Sequence, residues 1–211
     1  MATSSQRAPV IYASLILLKG HGYPLWVPEP RSNRPNRIQI GDLGILNDNG
    51  GFTYLFNVCK GASDSVNENG VPPGFEPIKN IQEPRYGELE VNSVISSSAQ
   101  VGLSIETQCA FFYTFRTLFP DFAAVLVLPD GAERYDSEQV KVLKKYAVAN
   151  AHSWYKYFNG RQRRRIHNGM LYLVTGYDKC HSWSSACYSN PIESKGASLK
   201  FLCGARHKRE R

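Results

Sequence analysis

The fold follows from residues 136–158, which read DSEQVKVLKKYAVANAHSWYKYF. Apolar side chains recur there every three or four residues and line one helix face; they are Val140, Leu143, Ala147, Ala151, Trp154 and Phe158. Asp136 or Ser137 can supply the N-cap, and Asn159-Gly160 is a typical helix stop. The pattern predicts one long helix over about 137–158, with Trp154 in the core and the lysines facing away from it.

Strand signals dominate on both sides of this helix. Ile38–Leu46 and Phe52–Val58 predict a hairpin, because the Asn/Gly-rich residues 47–51 between them tolerate positive φ. Other strands are predicted at Val10–Leu18, Glu88–Ile95, Val101–Phe115, Phe122–Leu128, Met170–Thr175, Ser182–Ser189 and Ser198–Cys203. This order predicts an α+β fold with a mostly antiparallel sheet and long loops, as one domain over 1–211 with loose ends at 1–8 and 205–211.

Composition narrows the class of protein. The 211 residues are 42% hydrophobic, which is too apolar for a disordered chain. Five cysteines, an odd count without C-x-x-C spacing, favour reduced thiols in the cytoplasm over a disulfide framework. No run reaches the roughly 20 apolar residues of a membrane helix, and Val10–Leu18 is followed by Lys19 instead of a signal-peptide cleavage site. We therefore expect a cytoplasmic protein without a transmembrane segment.

Charge is unevenly distributed along the chain. Residues 1–135 carry 10 Lys/Arg against 13 Asp/Glu, whereas residues 136–211 carry 15 against 5, and the whole chain has a net charge of +7. A basic half of this kind indicates a polyanion partner, most simply a nucleic acid. The alternative is a solvated basic face that keeps the protein soluble.

Motifs for cofactor chemistry are missing from the sequence. It contains no phosphate loop, no G-x-G-x-x-G, no H-E-x-x-H and no G-x-S-x-G. Cys180, His181 and Cys187 could begin a zinc site, but their spacing matches no zinc pattern, and buried thiols beside a surface histidine are the simpler interpretation. We therefore expect no metal and no small-molecule cofactor.

An arginine cluster directly follows the predicted helix. Four guanidinium groups in five residues can contact phosphate oxygens; they belong to Arg161, Arg163, Arg164 and Arg165. The alternative is that part of the cluster caps the negative end of the helix dipole.

Two carboxylates stand out as candidates for chemistry. Asp178 lies in the polar and aromatic segment 175–183, which follows an apolar strand and is predicted to be a loop. Asp178 either forms a salt-bridged turn with Lys179 or is a carboxylate whose pKa that cation sets. Glu106 lies on the more polar face of the predicted strand Val101–Phe115, a face shared by Arg116, and the alternative is simple solvent exposure.

Four phrases of the sequence resemble a family of mushroom (basidiomycete) proteins. They are GYPLWVPEP at 22–30, LPDGA at 128–132, HSWYKYFNG at 152–160 and LYLVTGYDK at 171–179. The resemblance extends over about 22–190, and the length and mass are similar to those of a ribosome-inactivating member. It implies an rRNA N-glycosylase that removes an adenine from large-subunit ribosomal RNA and so blocks protein synthesis. The implied partner is ribosomal RNA on the ribosome, and we expect the protein to act as a monomer.

The implied reaction assigns roles to particular side chains. Plant ribosome-inactivating proteins carry a Glu-Ala-x-Arg motif, and this chain has no Glu-x-x-Arg, so their catalytic residues do not carry over. Glu106 or Asp178 would stabilise the developing oxocarbenium charge, and Arg116 or Lys179 would assist the leaving adenine. The candidates for stacking on the adenine are Tyr113, Tyr155, Tyr177 and Trp183. The arginines of 161–165 would bind phosphates. The alternative is a non-enzymatic fungal defence protein that binds RNA or acts on membranes.

Overall fold

The computed structural model describes residues 8–28, 38–97, 100–107, 110–116, 122–160, 164–189 and 198–202, with the strands at 100–107, 110–116 and 198–202 described by their backbone. The fold is α+β, as predicted. Helices α1 (Ala8–Ile16) and α2 (Val140–Gly160) are accompanied by 3-10 turns at Leu17–Lys19 and Ser65–Asn67. The strands are β1 (Asp42–Leu46), β2 (Phe52–Asn57), β3 (Arg85–Leu89), β4 (Ser93–Ser96), β5 (Gln100–Thr107), β6 (Ala110–Arg116), β7 (Phe122–Leu128), β8 (Ala132–Asp136), β9 (Leu171–Leu173), β10 (Gly176–Lys179), β11 (Ser184–Ser189) and β12 (Ser198–Leu202).

The chain divides into two compact units. The first combines Met1–Pro24, Val91–Gly131 and His181–Arg211, and the second combines Leu25–Glu90 and Ala132–Cys180. Strand orders β11-β7-β4 and β12-β6-β5 form two sheets of the first unit, where α1 lies against β7 and β11. Strand orders β2-β1-β9 and β10-β8-β3 form two sheets of the second unit, which also contains α2. All the strand pairs of these four sheets are antiparallel.

The core of the second unit is built around Phe56 on β2, which is fully buried. Its ring packs edge-on against Phe75 (centroids 5.3 Å apart) and Trp154 (5.8 Å), and it stacks on Phe158 (5.9 Å). The predicted apolar stripe thus places α2 on the β-hairpin, and the prediction of Trp154 as a core residue is confirmed by its 2% exposure. Each buried aromatic ring removes roughly 150–250 Å² from water, so Phe56, Trp154 and Phe158 contribute strongly to this core, with the partly buried Phe75 packed against it.

A buried polar network fixes the long loop after β2. The side-chain oxygen of Asn67 accepts hydrogen bonds from the Asn57 backbone N–H (2.7 Å) and the Tyr54 hydroxyl (3.2 Å). Its Nδ2 donates to the carbonyls of Asn57, Lys60 and Gly61 at 3.0–3.1 Å. Because buried polar groups must be paired, this one side chain determines the path of the loop.

Three of the predicted elements were wrong. Val10–Leu18 belongs to a helix and a 3-10 turn, because Ile11, Tyr12 and Ile16 bury one helical face, and an apolar run alone does not distinguish helix from strand. Glu88–Ile95 is divided between β3 and β4, with Asn92 at φ 61° between them. The predictions of the β1–β2 hairpin, of β7 as a strand buried on both faces, and of β11 and β12 are confirmed.

The third wrong element is the strand Val101–Phe115, which is a hairpin of β5 and β6. Gln100 pairs with Arg116, and Thr107 pairs with Ala110. Glu106 lies at the irregularity between Ile105 and Thr107, close to the turn. Arg116 lies about five residues further along the ladder, or roughly 17 Å at a rise of about 3.4 Å per residue. The two residues therefore do not share one face of a single strand, as the sequence pattern suggested.

None of the helices in the described part of the chain has the length and hydropathy that crossing a membrane requires.

We expect Asn67→Ala to destabilise the protein by about 3 kcal/mol, because it orphans the buried N–H of Asn57 and three carbonyls. Urea unfolding monitored by tryptophan fluorescence measures the change. The control is Asn49→Ala, since Asn49 is exposed and the change should stay within about 0.5 kcal/mol. Equal stability of the two variants would contradict the role given to the network.

Candidate functional site

The sheet β10-β8-β3 brings together residues that are far apart in the sequence. Tyr177 pairs with Tyr135, and Tyr135 pairs with Tyr86 on its other side. In the next row of the same register, Lys179, Glu133 and Glu88 are paired. Side chains two residues apart on a strand share a face, so both rows lie on one side of the sheet. The segment 176–179 was predicted as part of a loop and is strand β10 instead.

Tyr86, Tyr135 and Tyr177 form a continuous aromatic surface, called here the tyrosine row. The ring centroids of Tyr86 and Tyr135 are 5.5 Å apart at 69°, and those of Tyr135 and Tyr177 are 5.2 Å apart at 31°. A base inserted between two rings would need them to be about 7 Å apart, twice a contact distance of about 3.5 Å. Both centroid distances are shorter, so neighbouring rings of the row are in contact and leave no room for a base. The row is therefore one stacking surface and not a slot, and Tyr86 is 52% exposed on it.

Lys179 carries the cation on this face. Its Nζ lies 4.8 Å from the ring centroid of Tyr177 and 5.0 Å from that of Tyr135. Both distances are within the range of a cation–π contact, which holds the ammonium group over the two rings. The predicted residues Tyr177 and Lys179 are thus placed together, as an aromatic ring and a neighbouring cation.

Two carboxylates accept hydrogen bonds from the tyrosine row. The Tyr86 hydroxyl donates to Glu88 at 2.5 Å, and the Tyr135 hydroxyl donates to Glu133 at 3.0 Å. The bond to Glu88 raises the pKa of Tyr86 to about 12, and the bond to Glu133 raises the pKa of Tyr135. Burial is the main cause of the raised pKa of Tyr177. The phenols are therefore neutral donors at physiological pH.

Asp178 lies on the opposite side of the same sheet, between Tyr177 and Lys179 in sequence. Its two oxygens accept hydrogen bonds from Nε and Nη2 of Arg134, both at 2.8 Å. This two-point contact raises the pKa of Arg134. The salt-bridge interpretation of Asp178 is confirmed in kind, but the partner is Arg134 on the neighbouring strand and not Lys179. Strand alternation separates Asp178 from the tyrosine row.

The C-terminal end of α2 is capped by a backbone hydrogen bond and by the side-chain amide of Asn159. The Arg164 N–H donates to the Phe158 carbonyl at 2.9 Å, and the Asn159 side chain bonds the backbone of Ile166 in both directions. Tyr155 supports the next strand, since its hydroxyl accepts from the N–H of Gly169 at 2.9 Å. Of the predicted phosphate-binding cluster, Arg165 is exposed and Arg164 half-buried, while Arg161 and Arg163 lie outside the described residues.

The other predicted site residues belong to the first unit. Glu106 is on β5, and Tyr113 and Arg116 are on β6, where the backbone alone is described. Trp183 is half-buried just before β11. Within the described residues, no three His, Cys, Asp or Glu side chains are grouped to hold a metal ion. Burial raises the pKa values of Cys180 and Cys187, and the Cys187 thiol donates to the Ala8 carbonyl at 3.3 Å.

The sequence did not single out several residues of this sheet; they are Tyr86, Glu88, Glu133 and Tyr135 on the face of the tyrosine row, and Arg134 on the opposite face. Their signal is local alternation, in RYGEL at 85–89 and in AERYD at 132–136. In both segments a tyrosine and a glutamate stand two residues apart, which places them on one face of a strand. The sequence did not reveal that β8 lies between β3 and β10.

In the comparisons with known proteins, no family model, no curated protein and no solved structure matches this chain.

We expect Glu88→Gln to lower the pKa of Tyr86 from about 12 toward its ordinary value of about 10, because the charged acceptor is lost. The ζ-carbon shifts of labelled tyrosines, followed by NMR between pH 8 and about 12.5, measure the change. Because folding raises this pKa, the contact stabilises the protein below about pH 10, and its contribution is lost as the pH rises through about 12. The stability of the Glu88→Gln variant should not show this decrease as the pH rises.

The control is Glu68→Gln, since Glu68 is also exposed and lies on the loop after β2. Identical titration curves for the wild type and Glu88→Gln would exclude the hydrogen bond as the cause of the raised pKa.

Proposed function

We propose that the protein is a ribosome-inactivating rRNA N-glycosylase that removes an adenine from large-subunit ribosomal RNA. The resemblance to the mushroom family supports this, as does the positive charge of residues 136–211. The observation that carries the proposal is the tyrosine row with Lys179 beside it, since an unpaired base needs an aromatic surface and a cation near its ring nitrogens.

The reaction replaces one bond by another without a cofactor. The bond between adenine N9 and ribose C1′ breaks and its electron pair goes to the adenine; water adds its hydroxyl to C1′, and its remaining proton passes to the adenine. In this proposal the flipped adenine stacks on the tyrosine row at Tyr177 and Tyr135, and Lys179, whose Nζ lies over both rings, stabilises the negative charge that develops on the base. Stacking on an aromatic side chain contributes roughly 1–3 kcal/mol per base.

The carboxylate that we assign to the ribose is Glu133. It lies on the same face as the tyrosine row and is paired in register with Lys179. Asp178, the candidate from the sequence, points to the other face and is held by both of its oxygens on Arg134. A carboxylate near C1′ stabilises the oxocarbenium charge and orients the attacking water. Glu106 remains the candidate from the first unit.

The stacking role is tested with Tyr177→Leu on intact mammalian ribosomes, by treating the RNA with acidic aniline and quantifying the diagnostic fragment. We expect the wild type to release the fragment and the variant to release it about tenfold more slowly, because a base loses its ring partner. The control is Tyr172→Leu, since Tyr172 is exposed on β9 and outside the row. Absence of the fragment with the wild-type protein would refute the enzymatic proposal.

The choice of carboxylate is tested by Glu133→Gln, Asp178→Asn and Glu106→Gln, measured separately in the same assay. We expect Glu133→Gln to reduce the rate at least 100-fold, in the range typical of a lost catalytic group, and the other two to stay within about fivefold of the wild type. Thermal unfolding checks that each variant is folded. A full rate for Glu133→Gln with a strong loss for Glu106→Gln would move the catalytic carboxylate to the first unit.

A second candidate function is RNA binding without catalysis, and one observation favours it. The rings of the tyrosine row touch each other, so they offer a surface for stacking and no slot that encloses a base. A protein of this kind would bind single-stranded RNA in a salt-dependent way and release no adenine. Free adenine, measured by chromatography after incubation with ribosomes, distinguishes the two functions.

A further inference from the structure

The outer face of α2 carries a line of basic residues, called here the α2 stripe. Lys141, Lys145, His152 and Lys156 fall within about 60° of one another around the helix, at about 100° per residue. All four are exposed, and the line from Lys141 to Lys156 is about 22 Å long at about 1.5 Å per residue. Lys144 lies at the edge of the same face and is also exposed.

No acidic residue interrupts this stripe. The 21 residues of α2 include neither Asp nor Glu, and the preceding Glu138 forms no ion pair with these lysines. Among the described residues, the ion pairs join Arg85 to Asp136 and Arg134 to Asp178, and none of them includes a lysine of α2. The positive charge of the stripe is therefore not neutralised by the described part of the protein.

The placement of the lysines opposes helix stability. Lys141 stands in the first turn, where the positive end of the helix dipole disfavours cations, and Lys144 and Lys145 follow in the second turn. Lys141 is also three and four residues from the other two, and like charges at these spacings repel each other by a few tenths of a kcal/mol. The last turn, where cations would stabilise the helix, contains none. Stability alone does not account for this arrangement.

We propose that the α2 stripe is the surface that binds the phosphate backbone of RNA. The inference rests on the proposed function in taking RNA as the polyanion, and it extends that function by naming a docking surface separate from the tyrosine row. Each lysine supplies one ammonium group to a phosphate, and the narrow line fits a strand that runs along the helix. The exposed Val148 and Ala149 leave room between the two basic ends.

The geometry favours a nucleic-acid backbone over a membrane. A helix that binds a lipid surface inserts its apolar face, but Leu143, Trp154 and Phe158 of α2 are buried in the core and not available. A charge pattern one residue wide also matches a linear polyanion better than a flat layer of headgroups. Anionic lipid is therefore the alternative that the experiment must exclude.

The experiment measures binding of a fluorescein-labelled oligo-uridine of about 20 nucleotides by anisotropy at several salt concentrations. This probe contains no adenine, so binding is separated from base release. We expect the variant Lys141→Gln/Lys145→Gln/Lys156→Gln to bind about tenfold more weakly and to flatten the slope of log K against log salt by about 2, or about 0.7 for each lost contact.

The matched control is Lys19→Gln/Lys60→Gln/Lys79→Gln. It removes the same three charges from exposed positions outside α2 and should leave the slope within about 0.5 of the wild type. Equal losses in the two triple variants would show that net charge alone governs binding and would overturn the proposal. Unchanged RNA affinity of the α2 variant, with lost binding to vesicles containing about 30% phosphatidylserine, would overturn it in favour of a lipid surface.

The outcome is distinguishable from that of the enzymatic proposal. A flattened slope together with no aniline fragment from the wild-type protein would retain the RNA surface and reject the glycosylase. A diagnostic fragment with an unchanged slope would retain the enzyme and reject the α2 stripe as its docking surface.

Discussion

The second unit depends on a carboxylate that is entirely removed from water. The side chain of Asp42 accepts hydrogen bonds from the Gln39 N–H at 2.9 Å and from Nδ2 of Asn57 at 2.8 Å. Without such partners, burial of this group would cost several kcal/mol. The main-chain carbonyl of Asp42 accepts a hydrogen bond from the Val174 N–H at 2.8 Å. The carbonyl of the next residue, Thr175, accepts one from the Ser137 N–H at 2.9 Å. These main-chain bonds carry the chain from β9 to β10 beside β8, so the segment that leads to the candidate site is anchored at the same residue.

Local periodicity made part of this fold predictable. The apolar face of α2 was predictable because its spacing repeats over several turns, and the Asn/Gly-rich residues 47–51 indicated the β1–β2 hairpin. Val10–Leu18 was wrongly predicted as a strand, because a run of almost entirely apolar residues fits either element. The two residues between β5 and β6 are Gln108 and Cys109. Neither is a Gly or Pro, so the sequence has no signal there that predicts a hairpin.

The candidate site was predictable only in its composition. Tyr177 and Lys179 were visible as an aromatic and a cation two residues apart, which is a local pattern. Their partners Tyr135 and Tyr86 come from strands 42 and 91 residues earlier, and no local rule gives the register between such strands. The same limit explains Asp178. The sequence shows Lys179 as its neighbour, whereas the pleat turns that lysine away and brings Arg134 from β8 to the carboxylate.

In the proposed function, charge would keep base stacking and phosphate binding on separate surfaces. The face with the tyrosine row carries Glu88 and Glu133 against the single cation of Lys179, so a phosphate placed there would meet more negative than positive charge. A neutral base or ribose meets no such repulsion. The base could stack on the tyrosine rings, and the ribose could form hydrogen bonds with Glu88 and Glu133. An RNA on this unit would therefore touch the sheet with a base and keep its backbone away. Its phosphates then require a surface without carboxylates, which is the property that distinguishes the outer face of α2.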